Sequence, residues 1–138
     1  MKISQTLLDK LIGHVVEDPT NEICGVVAVE GGGSPGATMA VGVHRAANLH
    51  ASPLRFEIEP MELFRLNGAI EERGQQIGAI YHSHVRSDPY PSQTDINYAK
   101  GWPGVEWIIV GLAGGQEPEV RSYLIEGGEV REVPLEVE

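Results

Sequence analysis

The sequence predicts an α/β fold in which one mixed β-sheet carries helices packed against it. Two patterns predict it. Short β-branched apolar runs, of which Cys24-Gly-Val-Val-Ala-Val29 and Val105-Glu-Trp-Ile-Ile-Val-Gly-Leu112 are the clearest, alternate along the chain with stretches of helical apolar spacing. The 138 residues suit one domain, 1–138, because a chain of this size buries roughly two-thirds of its unfolded surface and so builds a real core.

The elements follow in order. Ser4 suits an N-cap, and Leu7, Leu8, Leu11, Ile12, Val15 and Val16 then form one helical stripe that should end near Asp18-Pro19. Cys24 to Val29 reads as a buried strand, Gly31 to Gly36 as a turn, and Thr38 to about His44 as the returning strand of a hairpin. Arg55 to Glu59 alternates as a strand does. Pro60 suits the first turn of a helix that carries Leu63, Leu66 and Ile70 inward and stops at Gly74. Ile77 to Tyr81 reads as a strand, Gln93 to Lys100 as a short helix, and Val105 to Leu112 as a central strand. Val120 to Ile125 and Val130 to Val137, separated by Gly127-Gly128, read as a closing hairpin whose second strand Pro134 pushes toward an edge. There is no internal repeat and no linker.

Charge and composition narrow the function. Twenty acidic residues against ten Lys and Arg give a net charge of −10, which repels phosphate backbones and anionic headgroups, so neither nucleic acid nor membrane is expected as a partner. Such a surface serves solubility or attracts a basic protein face. The start MKISQTLLDK has no apolar core of a signal peptide, and no apolar run reaches the length of a membrane span, which points to the cytoplasm. Cys24 is the only cysteine, so an internal disulfide or a multi-cysteine metal cluster is ruled out and any metal rests on His and carboxylate ligands.

Those ligands are found at Tyr81-His82-Ser83-His84, at the end of a predicted strand. Residues two apart on a strand share a face, so both imidazoles can converge on one point. Asp95, in the first turn of the next helix once the Val85 to Pro91 loop folds back, completes a three-ligand set with a fourth position for water. Zinc held this way would bring the pKa of its water to about 7 while a nearby carboxylate carries the proton to the leaving amine. Ser92 could place its hydroxyl at the developing oxyanion. These pieces describe amide or thioester hydrolysis, although two histidines on one strand face are by themselves often just polar surface.

The full spacing His82-x-His84, seven residues to Ser92, two more to Asp95, reproduces the H-x-H-x7-S-x2-D motif, and the chain therefore resembles the JAMM, or MPN-domain, metalloprotease family over nearly its whole length. The resemblance implies a cytidine-deaminase-like mixed sheet flanked by helices, a zinc cofactor held by His82, His84 and Asp95, and a glutamate base far upstream. Asn21-Glu22-Ile23-Cys24-Gly25-Val26 is similar to the segment carrying that base, which assigns the role to Glu22. Spacing alone leaves Glu17, Glu30, Glu57 and Glu59 equally able.

Within the family, deubiquitinating members carry an insertion after the aspartate for which this chain has no room, and repair-associated members follow the second histidine with Pro-Ser-Gly, where this chain has Val85-Arg86-Ser87. The Tyr-His-Ser-His opening, Tyr90-Pro91-Ser92-x-Thr94-Asp95 and Arg121 to Ile125 are similar to the compact prokaryotic Mec-type hydrolases. That likeness implies a peptidase or isopeptidase acting after the C-terminal Gly-Gly of a small ubiquitin-like sulfur-carrier protein, for example releasing cysteine from it. A Gly-Gly tail suits a close approach of backbone to metal, and an extended tail can add to a strand edge, for which Arg55 to Glu59 is the candidate. The alternatives are a deconjugating isopeptidase for other ubiquitin-like modifiers and a non-catalytic MPN scaffold, although scaffolds typically lack a ligand and this chain keeps all three. A zinc deaminase needs a P-C-x-x-C pair that one cysteine cannot supply. The carrier, the bond type, the oligomeric state (a homodimer included) and the native metal are left open, since two histidines and one aspartate accept other divalent ions.

The remaining conspicuous residues have plainer readings. Cys24 is expected as a small core residue rather than a nucleophile. His14, His44 and His50 read as surface or structural, Trp102-Pro103-Gly104 as a packed turn, and Arg86 and Asp88 as loop residues that touch substrate or solvent.

Overall fold

The computed structural model describes residues 1–30, 38–114 and 117–138. Along the chain it contains β1 (Lys2–Ile3), α1 (Gln5–Val15), β2 (Cys24–Glu30), β3 (Met39–Ala46), α2 (Pro60–Glu72), β4 (Gln76–His84), α3 (Gln93–Ala99), β5 (Glu106–Gly111), β6 (Glu119–Glu126), β7 (Glu129–Val133) and β8 (Glu136–Val137). The turn expected over Gly31 to Gly36 lies outside the described residues.

Each helix starts where its local chemistry dictates. The Ser4 hydroxyl accepts a hydrogen bond from the Leu7 amide at 3.2 Å and opens α1. The Glu59 carboxylate accepts from the Met61 and Glu62 amides, Pro60 occupies the first turn of α2, and Gly74 closes it at φ +72, a conformation that favours glycine. Ser92 and Asp95 cap α3 reciprocally.

Among the described residues eight strands form one sheet in the order β7-β6-β5-β4-β2-β3-β1-β8. Pairing is mixed: β4 with β5, and β1 with both β3 and β8, run parallel, and the other neighbours run antiparallel. β7 and β8 stand at opposite ends of this order, yet only Pro134 and Leu135 separate them in sequence. Laid flat, the two edges would be roughly 34 Å apart at about 4.8 Å per strand, far beyond the reach of two residues. The sheet is therefore curled.

The sheet carries a core on each face. Leu8, Leu11 and Val15 of α1 pack with Val27, Val29, Tyr81, Ile108 and Val110 on one side. Ile70 of α2 and Ala99 of α3 pack with Val26, Ile80, Trp107 and Ile109 on the other. β5 is buried along its whole length, as its apolar run predicts, and lies third from one end of the sheet with β4 beside it.

Two expectations are corrected. Arg55 to Glu59 is not a strand: among the described residues its only ladder contact is a single bridge between Asn48 and Ile58. The in-out alternation is real, with Phe56 and Ile58 buried, but the Asn48 side chain takes backbone bonds that a neighbouring strand would otherwise make. Val130 to Val137 is not one strand. Pro134 has no N–H to donate, the ladder with β6 stops at Val133, and the last residues cross to the far edge to pair with β1. Among the described residues no helix is long and apolar enough to cross a membrane.

Candidate metal centre

The site is assembled by strand register. In the antiparallel ladder of β2 with β4, Cys24 faces His82, and past the end of the ladder the Ser83 amide donates to the Ile23 carbonyl while the Ile23 amide donates to the Ser83 hydroxyl. Carrying the register one step further puts Glu22 opposite His84. Residues opposite one another share a face. His82, His84 and Glu22 thus point to the face that α2 and α3 cover, and Asp95 comes from the first turn of α3. All four side chains are buried, with 4 % exposure or less.

The donor atoms converge. His82 Nε2, His84 Nε2 and Asp95 Oδ2 form a triangle with every side 3.1 Å. Ligands about 2.0–2.1 Å from a tetrahedral zinc lie roughly 3.3 Å apart, so this triangle fits such an ion to within a few tenths of an ångström. A donor atom of Glu22 joins those of the two histidines, all within 4.8 Å of one another.

The surrounding hydrogen bonds point the lone pairs inward. His84 Nδ1 lies 2.8 Å from the Asp88 carbonyl, which can only accept, so Nδ1 carries the proton and a neutral ring turns the Nε2 lone pair to the centre. The Ser87 hydroxyl lies 3.2 Å from the same nitrogen. Asp95 Oδ2 also accepts from the Ser92 amide at 2.9 Å. Three acceptor atoms facing one point repel unless a cation lies between them, and the residues present therefore fit a divalent metal.

The electrostatics agree. Burial alone would raise the Asp95 carboxyl, but the two imidazoles and the Ser92 amide outweigh it and hold the group well below the usual carboxylate range. Burial lowers His82. His84, where burial is outweighed by Asp95 and the Asp88 carbonyl, is raised. Glu22 is pushed up to about 8, first by burial. Its Oε1 has no hydrogen-bond partner among the described residues, which leaves a buried oxygen beside the triangle able to take a proton.

Ser92 caps α3, its Oγ accepting from the Asp95 amide at 3.1 Å, so its own hydroxyl proton is left to donate. Cys24 is fully buried and its thiol is raised to about 12 by burial, which makes it a core residue. His14 is buried against the Tyr81 hydroxyl, at 2.6 Å, and is structural; His50 lies 3.0 Å from Glu57. Trp102 packs on the core in a turn that Gly104 closes. Glu17 is exposed in an ion pair with Arg45, and Glu59 is spent as a helix cap. Spacing gave no sign of the Asp88 carbonyl, Asn48 or Phe56, because their roles depend on where a loop returns.

Fold and site together define a metallohydrolase-type α/β domain. The model of the family described as prokaryotic homologs of the JAB domain matches residues 4–126. The chain is 34% identical over 135 residues to a desampylase of Haloferax volcanii, covering 94% of this chain and 91% of that one. It is 30% identical over 136 residues to the CysO-cysteine peptidase of Mycobacterium tuberculosis, covering 98% and 89%. A JAB1/MPN domain protein from Archaeoglobus fulgidus shares the fold with a TM-score of 0.62 at 23% identity, over 99% of this chain and 98% of that one. The chain belongs to the prokaryotic JAB family of JAMM-type hydrolases.

Proposed function

We propose that this protein is a cytoplasmic zinc-dependent peptidase or isopeptidase that hydrolyses the bond after the C-terminal Gly-Gly of a small ubiquitin-like sulfur-carrier protein, for example releasing cysteine. The observation that carries the reading is the 3.1 Å triangle of His82, His84 and Asp95 with the buried Glu22 carboxyl beside it. His82, His84 and Asp95 would hold the ion, and a bound zinc supplies Lewis acidity toward water and the scissile carbonyl.

The chain's own residues supply the rest. Glu22 accepts the proton of the attacking water and returns it to the leaving amine, a task suited by a buried carboxyl whose Oε1 has no other hydrogen-bond partner among the described residues. Ser92 donates its free hydroxyl proton to the oxygen on which charge develops. The burial of all four side chains keeps bulk water from competing with these contacts.

A second reading, deconjugation of other ubiquitin-like modifiers, is supported by the desampylase relative, which matches at 34% identity against 30% for the cysteine-releasing one. Intact-mass spectrometry separates them. Zinc-loaded and chelator-treated enzyme are incubated with a carrier ending in Gly-Gly-Cys and with a carrier linked through Gly-Gly to a lysine side chain. Loss of cysteine only with metal supports the first reading, and cleavage of the lysine conjugate alone supports the second. Both substrates intact beside stoichiometric zinc would exclude both.

A further inference from the structure

We propose that Asn48 is a positioning residue for both the base and a metal ligand, a role resting on the function just proposed. Asn48 lies past the end of β3, and its side chain makes four hydrogen bonds to backbone. Nδ2 donates to the carbonyls of Glu22 at 3.1 Å and Arg55 at 3.0 Å. Oδ1 accepts from the amides of His50 and Glu57, each at 3.1 Å. Two donors and two acceptor lone pairs are the whole capacity of an amide side chain.

The bonds bear on Glu22 directly. Its carbonyl is held by Asn48 and its amide donates to the Ser52 carbonyl at 2.8 Å, so the base is gripped on both sides by the segment between β3 and α2. That grip replaces a strand ladder, because Glu22 precedes the first residue of β2.

They bear on His82 through Phe56. Asn48 binds the backbone on either side of Phe56, and the Phe56 ring stacks on the His82 imidazole with centroids 4.2 Å apart and planes 25° from parallel. His82 Nδ1 is buried with no hydrogen-bond partner among the described residues, so the ring plane rests on packing, where His84 has the Asp88 carbonyl. One side chain thus aligns two groups of the site from outside it. Asp lacks the two donors, and Ala lacks all four groups.

The test compares Asn48→Asp, which keeps both acceptor bonds and loses both donor bonds, with Asn48→Ala and Phe56→Leu. Outer partners of metal ligands typically cost about 10–100-fold in activity or metal affinity. For Asn48→Asp on the Gly-Gly-Cys carrier the expected result is a kcat loss in that range with KM within about twofold, and less than about threefold further loss when added to Glu22→Gln. Competition titration with zinc alone should show weaker binding in Phe56→Leu and Asn48→Ala, and hydrogen exchange in metal-free Asn48→Asp should quicken at the Glu22 amide while β2 keeps its protection. Wild-type kcat in Asn48→Asp, or an equal fold-loss with and without Glu22→Gln, would overturn the role. If wild type leaves the carrier intact, the proposed function fails, and the zinc and exchange measurements alone judge Asn48: unchanged values there would overturn it.

Discussion

Cys24 and His82 face one another across the β2–β4 ladder, and that single pairing fixes the geometry of the site. Stepping two residues back from Cys24 and two forward from His82 brings Glu22 to His84, 62 residues away in sequence, and the segment between β3 and α2 then holds the Glu22 backbone at that position. Glu22→Gln keeps shape and loses the proton acceptor. The expected outcome is near-normal zinc content with turnover lowered by about a hundred- to ten-thousandfold, read from single-turnover hydrolysis; wild-type turnover would contradict the assignment.

The same burial gives a pH signature. Glu22 stands at about 8 in the folded protein against an ordinary 4.5. A raised folded-state pKa contributes stability that is fully present below the unfolded value and is lost as pH rises through the folded one. Metal-free wild type should therefore lose stability relative to metal-free Glu22→Gln between pH 4.5 and about 8, by on the order of a few kcal/mol. Urea unfolding of both proteins across that range measures it, and a constant difference between them would show that the carboxyl is not buried as described.

Removal of a ligand should separate metal from fold. His84→Ala and Asp95→Ala are expected to weaken zinc by more than the roughly 10–100-fold typical of outer partners. Asp95→Ala deletes the bond from the Ser92 amide and His84→Ala the bond to the Asp88 carbonyl, so each metal-free form should lose about 1 kcal/mol or more relative to metal-free wild type. Zinc competition and thermal unfolding in chelator check the two halves independently.

Ser92 serves both structure and chemistry, and Ser92→Ala tests both. Loss of the cap should lower stability by about 1 kcal/mol, and loss of the donor should slow turnover by about two to three orders of magnitude with zinc content kept. Slower turnover without the stability change would mean that the hydroxyl does not cap α3.

Gly25, between Cys24 and Val26 of β2, has no room for a side chain. A Cβ there would overlap the Tyr81 hydroxyl and lie 2.5 Å from the His44 carbonyl, which is backbone of the neighbouring strand. Gly25→Ala should cost about 1–3 kcal/mol and, by moving β2, reduce turnover as well; a variant as stable as wild type in denaturant would contradict the packing.

Much of this architecture is legible in the sequence because periodicity and punctuation are local. Ser4, Pro60 and Gly74 mark helix ends that the structure keeps, and the β-branched runs at Cys24 and Val105 mark buried strands. The convergence of His82 with His84 follows from strand parity alone. The failures are non-local. Arg55 to Glu59 has the alternation of a strand, but whether a ladder forms depends on a partner, and the Asn48 side chain takes that place. Pro134 signalled an edge without saying that the chain would leave one edge of a curled sheet and join the other. Glu22 could be chosen among five glutamates only through the family likeness, because no spacing rule carries register across 62 residues.

The most direct measurement of the central claim is anomalous scattering at the zinc edge from crystals grown with zinc. One strong peak is expected roughly 2.0–2.2 Å from His82 Nε2, His84 Nε2 and Asp95 Oδ2, with Glu22 outside bonding distance and so available as a base. A peak bonded to Glu22 in place of Asp95, or no peak at the triangle in crystals that contain zinc, would contradict it.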